Sequence, residues 1–235
     1  MGSNPTFGTI HLDRRALVAQ WIERSPAEAE AVGSSPAERA IFPETTMTSQ
    51  DDLEQQVLLL ASRDRKVEIA ARDALMEAGS AGLAAVLQGL HDPEARVRRR
   101  CLDFLDHHAD DLCVDDLRRV ALRDPVPQVR RFAVHALGCA KCKTRPLDTD
   151  LIDFLVKVAA SSDENVKVRR EAVYALGLQP QSSRVIPVLR LVLDQDSDQE
   201  LRKGAHRVLR LHDPEYRRLT DQRARQASLA RTNSR

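Results

Sequence analysis

Residues 124–137 are DPVPQVRRFAVHAL, and residues 163–176 are DENVKVRREAVYAL. Both stretches begin with an aspartate, have a valine five residues later, continue with an Arg-Arg pair and end in Ala-Leu. The pattern recurs along the chain, and its aligned aliphatic anchors are Val67, Val97, Val129, Val168 and Leu201. The anchors lie 30, 32, 39 and 33 residues apart, which is too long for one helix and fits a helix, a turn and a second helix. An internal repeat therefore decides the fold.

Each copy of the repeat has apolar residues at helical spacing. In the copy at 124–137 they are Val129, Ala133, Ala136 and Leu137, which form a stripe on one face of an α-helix. A second apolar-periodic run precedes each copy, and these runs span residues 53–60, 83–90, 112–122, 151–158 and 185–193. We call the upstream helices A and the anchored helices B. Each repeat is therefore predicted to be a helical hairpin.

Aspartates mark the predicted turn between helix A and helix B. Asp92 and Asp124 are each followed by proline, so we expect the Asp to cap the first amides of helix B and the Pro to lie in its first turn. Asp163 and Asp196 are expected to cap without proline. One hairpin buries little by itself, so neighbouring hairpins must cover one another. The prediction is an all-α, right-handed α-solenoid of about five antiparallel helix pairs.

The Asp-Pro turn, the Val-Arg-Arg core and the Ala-Leu ending resemble the HEAT-repeat family in its short bacterial, PBS-lyase-like form. The resemblance covers residues 47–212 and implies an armadillo-like helical stack. The first copy departs from the pattern, as a terminal copy often does. The resemblance further implies a structural ladder in which the turn Asp of one unit and the first Arg of a neighbouring unit pair. That ladder would consist of Asp92, Asp124, Asp163 and Asp196 with Arg98, Arg130, Arg169 and Arg202.

Residues 1–46 do not join the repeat, although they contain four of the eleven prolines and the single tryptophan, Trp21. The strings VAQWIER at 18–24 and GSSP at 33–36 resemble in-frame translation of a transfer-RNA gene. We therefore interpret residues 1–46 as a mis-called leader that precedes a true start at Met47, the alternative being a flexible tail. Residues 47–212 form the predicted solenoid, and residues 213–235 a basic C-terminal helix and tail.

Composition limits the functional classes. The chain has 235 residues, 42% of them hydrophobic and 30% charged, and its formal net charge is +1. This balance gives no general case for nucleic-acid binding. No apolar stretch is long enough to cross a bilayer and no secretory leader opens the chain, so we expect a cytoplasmic protein without a membrane partner. Four cysteines in such a chain are expected to be free thiols or ligands.

The exposed positions of the B helices are the candidate binding surface, which we call the B-helix face. Arginine pairs with carboxylates and stacks on aromatic rings, so this face is expected to bind a protein partner, with an acidic one as the best fit. The alternative is that these are solvated surface residues and that Phe132 packs between repeats. The candidate residues are Arg99, Arg131, Phe132, His135, Arg170, Tyr174, Lys203 and Arg207.

Cys139 and Cys142 form the sharpest local motif, because two thiolates separated by two residues can chelate one soft metal ion. They lie in the loop where the repeat spacing reaches 39. Cys113, His107 and His108 occupy the corresponding loop of the preceding copy. One interpretation is a tetrahedral zinc site made of Cys113, Cys139, Cys142 and either His107 or His108. The other is a pair of loop thiols and no cofactor.

The chain has no Gly-rich phosphate loop, nucleophile elbow or H-E-x-x-H pattern, so we expect no catalytic activity. The leading hypothesis is a monomeric interaction scaffold that binds a protein along its concave B-helix face. The first alternative is nucleic-acid binding, which some HEAT-like DNA-repair glycosylases perform with a concave groove and against which the near-zero charge argues. The second is a subunit associated with a lyase or chaperone, as in the HEAT-like phycobilin lyases, on the resemblance of fold alone.

Overall fold

The computed structural model describes residues 49–233, which lie in one compact unit, Met47–Arg235. These residues form eleven α-helices and two short 3-10 helices, and no strand occurs among them. The all-α prediction is therefore confirmed. The predicted mis-called leader, residues 1–46, lies outside the described residues. In the part of the chain that the structure describes, no helix combines the length and the apolar character needed to span a bilayer.

The helices alternate between the A and B layers, and the five predicted pairs are confirmed. The A helices are α1 (Gln50–Leu59), α3 (Ser80–Gly89), α5 (Val114–Arg123), α7 (Ile152–Ala160) and α9 (Ile186–Gln195). The B helices are α2 (Arg65–Glu77), α4 (Ala95–His108), α6 (Pro127–Gly138), α8 (Val166–Leu176) and α10 (Gln199–His212). A last helix, α11 (Pro214–Asn233), packs on α10.

Successive B helices form the tighter layer of the stack. Helix α4 packs directly on α6, α6 on α8, and α8 on α10, whereas contact between successive A helices is sparse from α5 onward. Closer approach on one side makes that side shorter, so the B helices lie on the inner side of the curve. The first pair differs, because there α1 and α2 both pack on α3.

The repeat anchors form the buried core. Val97, Val129, Val168 and Leu201 are each at most 3% exposed. They belong to a single cluster that runs through all five pairs. Val67, the anchor of the terminal pair, is only half-buried. This gradient follows from stacking, since only an internal pair has a neighbour on both sides.

The turn aspartates act differently from the sequence prediction. Three of them accept a hydrogen bond from the backbone N–H two residues later, in an Asx turn that precedes helix B. The bonds are Glu94 N to Asp92 at 2.7 Å, Val126 N to Asp124 at 2.8 Å and Asp198 N to Asp196 at 2.9 Å. Helix α6 begins at Pro127, so Pro127 and not Pro125 occupies its first turn. The predicted Asp caps are therefore wrong in detail, because the turn adds residues before each helix.

Gly82 allows close packing between α2 and α3. A Cβ atom at this position would lie 1.9 Å from the carbonyl oxygen of Leu75, which is backbone and cannot move away independently. We therefore expect Gly82→Ala to lower the free energy of unfolding by about 1–3 kcal/mol through overpacking. Urea denaturation followed by circular dichroism measures the change.

Gly204→Ala is the matched control for this substitution. The nearest atom to a Cβ at Gly204 is Val173 Cγ1 at 3.4 Å, and Gly204 lies inside helix α10. Alanine is the better helix former, so this variant is expected to match the wild type or to gain up to about 1 kcal/mol. Equal losses in the two variants would contradict the assigned close contact.

Candidate functional site

A ladder of ion pairs links neighbouring B helices near their N-terminal ends. Arg98 donates from Nε and Nη2 to the two carboxylate oxygens of Asp124, at 2.6 and 2.9 Å. Its Nη1 donates to the carbonyl oxygens of Asp92 and Pro93. Both charged residues are buried, and the hydrogen bond to Asp124 raises the pKa of Arg98. This arrangement satisfies a buried guanidinium and fixes one repeat against the next.

The ladder continues with one change of partner from the sequence prediction. Arg130 donates to both carboxylate oxygens of Glu164, at 2.8 and 2.6 Å, and to the carbonyl of Asp124. Asp163, the predicted partner, is exposed, and among the described residues its carboxylate accepts a 3.4 Å bond from Ser162 and none from Arg130. The start of α8 turns Glu164 and not Asp163 toward Arg130.

The final steps of the ladder lie in the last pair. Arg169 pairs with Asp196, and Arg202 donates to the backbone carbonyl of Asp196. Arg202 is therefore bound to the turn that precedes its own helix, α10, and the ladder ends there. The predicted Asp92 contributes its backbone carbonyl rather than a carboxylate to this network.

Phe132 lies between two guanidinium groups on the B-helix face. The Cζ atoms of Arg99 and Arg131 are 5.3 and 5.2 Å from its ring centroid, within the range of cation–π attraction. The ring itself is half-buried against the core. Phe132 thus joins neighbouring repeats, as the alternative interpretation of the sequence stated.

Other basic residues of the B-helix face are paired with carboxylates. Arg170 binds both oxygens of Asp198, at 2.9 and 2.5 Å, and Lys203 binds Glu200 at 2.8 Å. His135 Nδ1 lies 2.8 Å from Glu171 Oε1, and this bond raises the pKa of His135. The face is therefore mixed in charge, because Glu171 lies on the face itself and Asp198 and Glu200 at the start of α10 neutralise two of its basic residues.

A groove of about 220 Å³ lies between α8 and α10 on this face. Its floor is apolar and includes Val173, Leu201 and Val208. Tyr174, which is 53% exposed, and Arg207 lie on its rim. Among the described residues Arg207 has no ion-pair partner within 4.0 Å, and Glu200, the carboxylate that also lines the groove, is bound to Lys203 at 2.8 Å. The groove can therefore accept an apolar side chain and place a carboxylate beside an unpaired guanidinium.

A second cluster surrounds the C-x-x-C loop. Asp106 near the end of α4, His135 on α6, and Cys139 and Cys142 after α6 each offer one possible ligand atom, and these four atoms lie within 4.8 Å of one another. Cys139 Sγ and Cys142 Sγ are 2.8 Å apart. The Cys139 hydrogen bond and burial raise the pKa of Cys142 to about 12, so without a cation this thiol stays protonated at neutral pH.

The remaining predicted ligands have other partners and do not join this cluster. Cys113 Sγ donates to Asp110 at 3.3 Å, and burial raises its pKa to about 12. His107 Nδ1 bonds to the Cys142 carbonyl at 2.7 Å, and His108 packs against the ring of Phe104. Sequence reasoning missed Asp106, which carries no motif of its own. It placed His135 on the binding face, whereas His135 Nε2 points to the thiols.

Comparison with known families and structures agrees with the repeat architecture. A family model described as HEAT repeats matches residues 114–210. The complex of CpcE and CpcF of phycocyanin lyase from Nostoc sp. PCC7120 aligns with a TM-score of 0.53 and 18% identity, over 68% of this chain and 99% of that chain. At this identity the similarity shows the fold alone.

Designed repeat proteins are also similar. A designed armadillo repeat protein in complex with the peptide (KR)4 aligns at 18% identity over 68% of this chain and 81% of that one, with a TM-score of 0.43. Computationally designed armadillo repeat proteins for modular peptide recognition align at 17% identity over 78% and 92%, with a TM-score of 0.42. No curated protein sequence matches the chain.

Proposed function

We propose that this HEAT-repeat protein is a non-catalytic scaffold that binds an extended acidic segment of a partner protein along its B-helix face. The fold fits a protein-interaction scaffold in general. More specifically, we propose that the groove between α8 and α10 makes the main contact with the partner segment. The observation that carries it is that the exposed Tyr174 ring and the Arg207 guanidinium, which has no ion-pair partner within 4.0 Å among the described residues, both lie on the rim of an apolar groove.

The chemistry of the groove supports an acidic peptide. Tyrosine and arginine are the residue types that most often dominate binding energy at protein interfaces. An apolar side chain of the partner would fill the floor at Val173 and Val208, while a neighbouring carboxylate would pair with Arg207. Arg170 on the same rim is held by Asp198, so it positions the groove wall rather than offering a free charge.

Peptide selection tests this proposal directly. A phage-displayed peptide library is selected on the full-length protein, and selected peptides are then titrated by fluorescence anisotropy. We expect enrichment of sequences in which an apolar residue adjoins Asp or Glu. Tyr174→Ala and Arg207→Glu are each expected to raise the dissociation constant about tenfold or more, which corresponds to about 1.4 kcal/mol or more at an interface hot spot.

The controls lie on the opposite layer. Arg123→Glu on α5 and Leu191→Ala on α9 change exposed residues of A helices and are expected to leave the dissociation constants unchanged. Arg170→Glu is unsuitable as a probe, because it would place two carboxylates against each other at Asp198 and perturb the groove itself. Peptides that bind all of these variants equally would reject the B-helix face as the binding surface.

The same titration distinguishes nucleic-acid binding from the proposed binding of an acidic peptide. A short DNA duplex is added at low and at high salt, since binding through phosphate contacts weakens steeply as salt rises. We expect no binding at low salt. Duplex binding that falls with salt and is reduced by Arg207→Glu would replace the protein-scaffold proposal with the nucleic-acid one.

A further inference from the structure

The cluster at the C-x-x-C loop has the composition and the spacing of a closed metal site. Cys142 Sγ lies 3.5 Å from His135 Nε2, and His135 Nε2 lies 3.5 Å from Asp106 Oδ2. A zinc tetrahedron with bonds of about 2.0–2.3 Å has edges of about 3.3–3.8 Å. Two of its six edges are therefore already at this length, and the two sulfur atoms, now 2.8 Å apart, must separate by about 1 Å.

We propose that Asp106, His135, Cys139 and Cys142 form a structural zinc site. This ligand set differs from the one expected from the sequence, since it replaces Cys113 and the histidines of the preceding loop. It is also separate from the groove of the proposed function, and neither proposal depends on the other.

The surroundings of His135 give an independent indication of a metal ligand. A histidine that binds a metal through one ring nitrogen almost always donates its other N–H to a carboxylate, a carbonyl or water, which fixes the ring. His135 Nδ1 is bonded to Glu171 Oε1 at 2.8 Å, so Nε2 is directed toward the thiols and Asp106. Glu171 lies on the next B helix, α8. The arrangement is a carboxylate–histidine pair that points into the cluster.

Asp106 gives a second indication. Its Oδ1 atom is buried and accepts no hydrogen bond from the described residues, although a buried carboxylate oxygen normally has a partner. The ammonium group of the buried Lys143 lies 3.9 Å from that oxygen, beyond hydrogen-bond range. A cation bound by the Asp106 carboxylate would supply the partner that this buried oxygen lacks. One Zn²⁺ with two thiolates and one carboxylate carries a net charge of −1, which the nearby ammonium group offsets.

The donor types identify the metal class. Two thiolates and an imidazole favour zinc or another thiophilic ion over Mg²⁺ and Ca²⁺, which prefer oxygen ligands. Four protein ligands leave no open position, which is the pattern of a structural site rather than a catalytic one. The bound cation would displace the thiol protons, as metal binding does at other cysteine sites.

The site explains the longest repeat spacing in physical terms. The loop after α6 is already attached to the end of α4, because Thr144 N donates to the His107 carbonyl at 3.1 Å. A zinc ion would tie α4, α6 and this loop together, and Glu171 would extend the connection to α8. The longer loop after α6 would then link three consecutive B helices, α4, α6 and α8.

Metal binding by the reduced full-length protein tests the proposal. The protein is equilibrated with zinc in the presence of a phosphine reductant and desalted, and its zinc content is measured by mass spectrometry. We expect one zinc per chain. Cobalt(II) in place of zinc should give the intense visible bands of a tetrahedral ion and a thiolate charge-transfer band. A zinc content of about a tenth of an equivalent or less would reject the site.

Variants then identify the ligands. Cys142→Ser and Asp106→Asn should each abolish the tetrahedral cobalt spectrum, while circular dichroism reports whether the helices remain folded. Glu171→Gln should weaken zinc binding about 10- to 100-fold without changing the stoichiometry, which is the effect of losing a carboxylate behind a ligating histidine. A Glu171→Gln variant with unchanged zinc affinity would contradict the assigned role of His135.

Cys113→Ala and His108→Ala are the matched controls. Both are expected to keep one zinc per chain and the same cobalt spectrum, because their side chains contact Asp110 and the ring of Phe104 instead of the cluster. Loss of the metal in Cys113→Ala with the helices intact would overturn the proposed ligand set. A Cys139–Cys142 disulfide that persists in the reduced protein, detected by peptide mapping, would also overturn the zinc proposal.

Discussion

Replacing Asp124 with alanine is expected to lower the free energy of unfolding by about 3–5 kcal/mol. The substitution removes both acceptors of the bidentate bond from Arg98, whose side chain is only 9% exposed. The guanidinium keeps its carbonyl partners at Asp92 and Pro93 but loses its counter-charge. An uncompensated buried cation is among the most costly defects a single substitution produces. Urea denaturation monitored by circular dichroism measures the loss.

Asp163→Ala is the matched control, because Asp163 occupies the same position in the next repeat. Its carboxylate is exposed and takes no part in the ladder, so we expect a change within about 0.5 kcal/mol. Asp124→Asn should fall between the two variants, since its amide oxygen can still accept the Val126 N–H while the charge is lost. If Asp124→Ala and Asp163→Ala unfold at the same urea concentration, the ladder does not contribute to stability.

Glu164 gives the ladder a second test within the same experiment. Its carboxylate holds Arg130 as Asp124 holds Arg98, but both side chains are more exposed, at 16% for Arg130 and 13% for Glu164. Greater solvent screening weakens the penalty for an unpaired charge. Glu164→Ala is therefore expected to destabilise the protein less than Asp124→Ala and more than Asp163→Ala.

Replacing Leu176 with alanine is expected to cost about 2–5 kcal/mol. Leu176 ends the repeat pattern of α8, and its side chain is fully buried between neighbouring pairs. The truncation removes apolar contacts and leaves a cavity, and both terms add to the loss. The helices on each side are held by their own neighbours and cannot collapse completely into that space. Urea denaturation gives the total effect.

Leu112→Ala is the control for this truncation. It removes the same atoms from a side chain that is 71% exposed, so we expect a change within about 0.5 kcal/mol. Hydrogen exchange adds a spatial test, because in a stack each pair depends mainly on its neighbours. Amides of α8 and α10 should lose more protection in Leu176→Ala than those of α1. A uniform loss across all pairs would contradict nearest-neighbour stacking.

The repeat fold was predictable because its signals are local. Periodic valine, alanine and leucine at positions 129–137 and 168–176 define buried helix faces without knowledge of any partner. The spacing between anchors then fixes one hairpin per repeat. The sequence predicted a turn at Asp124 but not its geometry. An aspartate suits both a helix cap and the Asx turn that the structure has, so the residue type does not distinguish them.

The binding face was predicted less well than the fold. Helical geometry identifies which side chains leave the core, and it named Tyr174 and Arg207 on that basis. It does not show that Arg170 is bound to Asp198 or that Phe132 is covered by two guanidinium groups. Those contacts depend on the rise between repeats, which sets the residues that face each other. They leave the groove between α8 and α10 as the candidate binding site on this face.

The candidate zinc ligands were even less predictable from the sequence than the binding face. Cys139 and Cys142 are recognisable from their spacing, but Asp106 and His135 lie on separate helices and carry no signal of their own. The sequence by itself determined the helices, their pairing and the stacked core, because hydrophobic periodicity acts over short distances along the chain. Only the tertiary structure decided which charges and ligands meet, because the packing of α4, α6 and α8 selects Glu164 over Asp163 and His135 over His107.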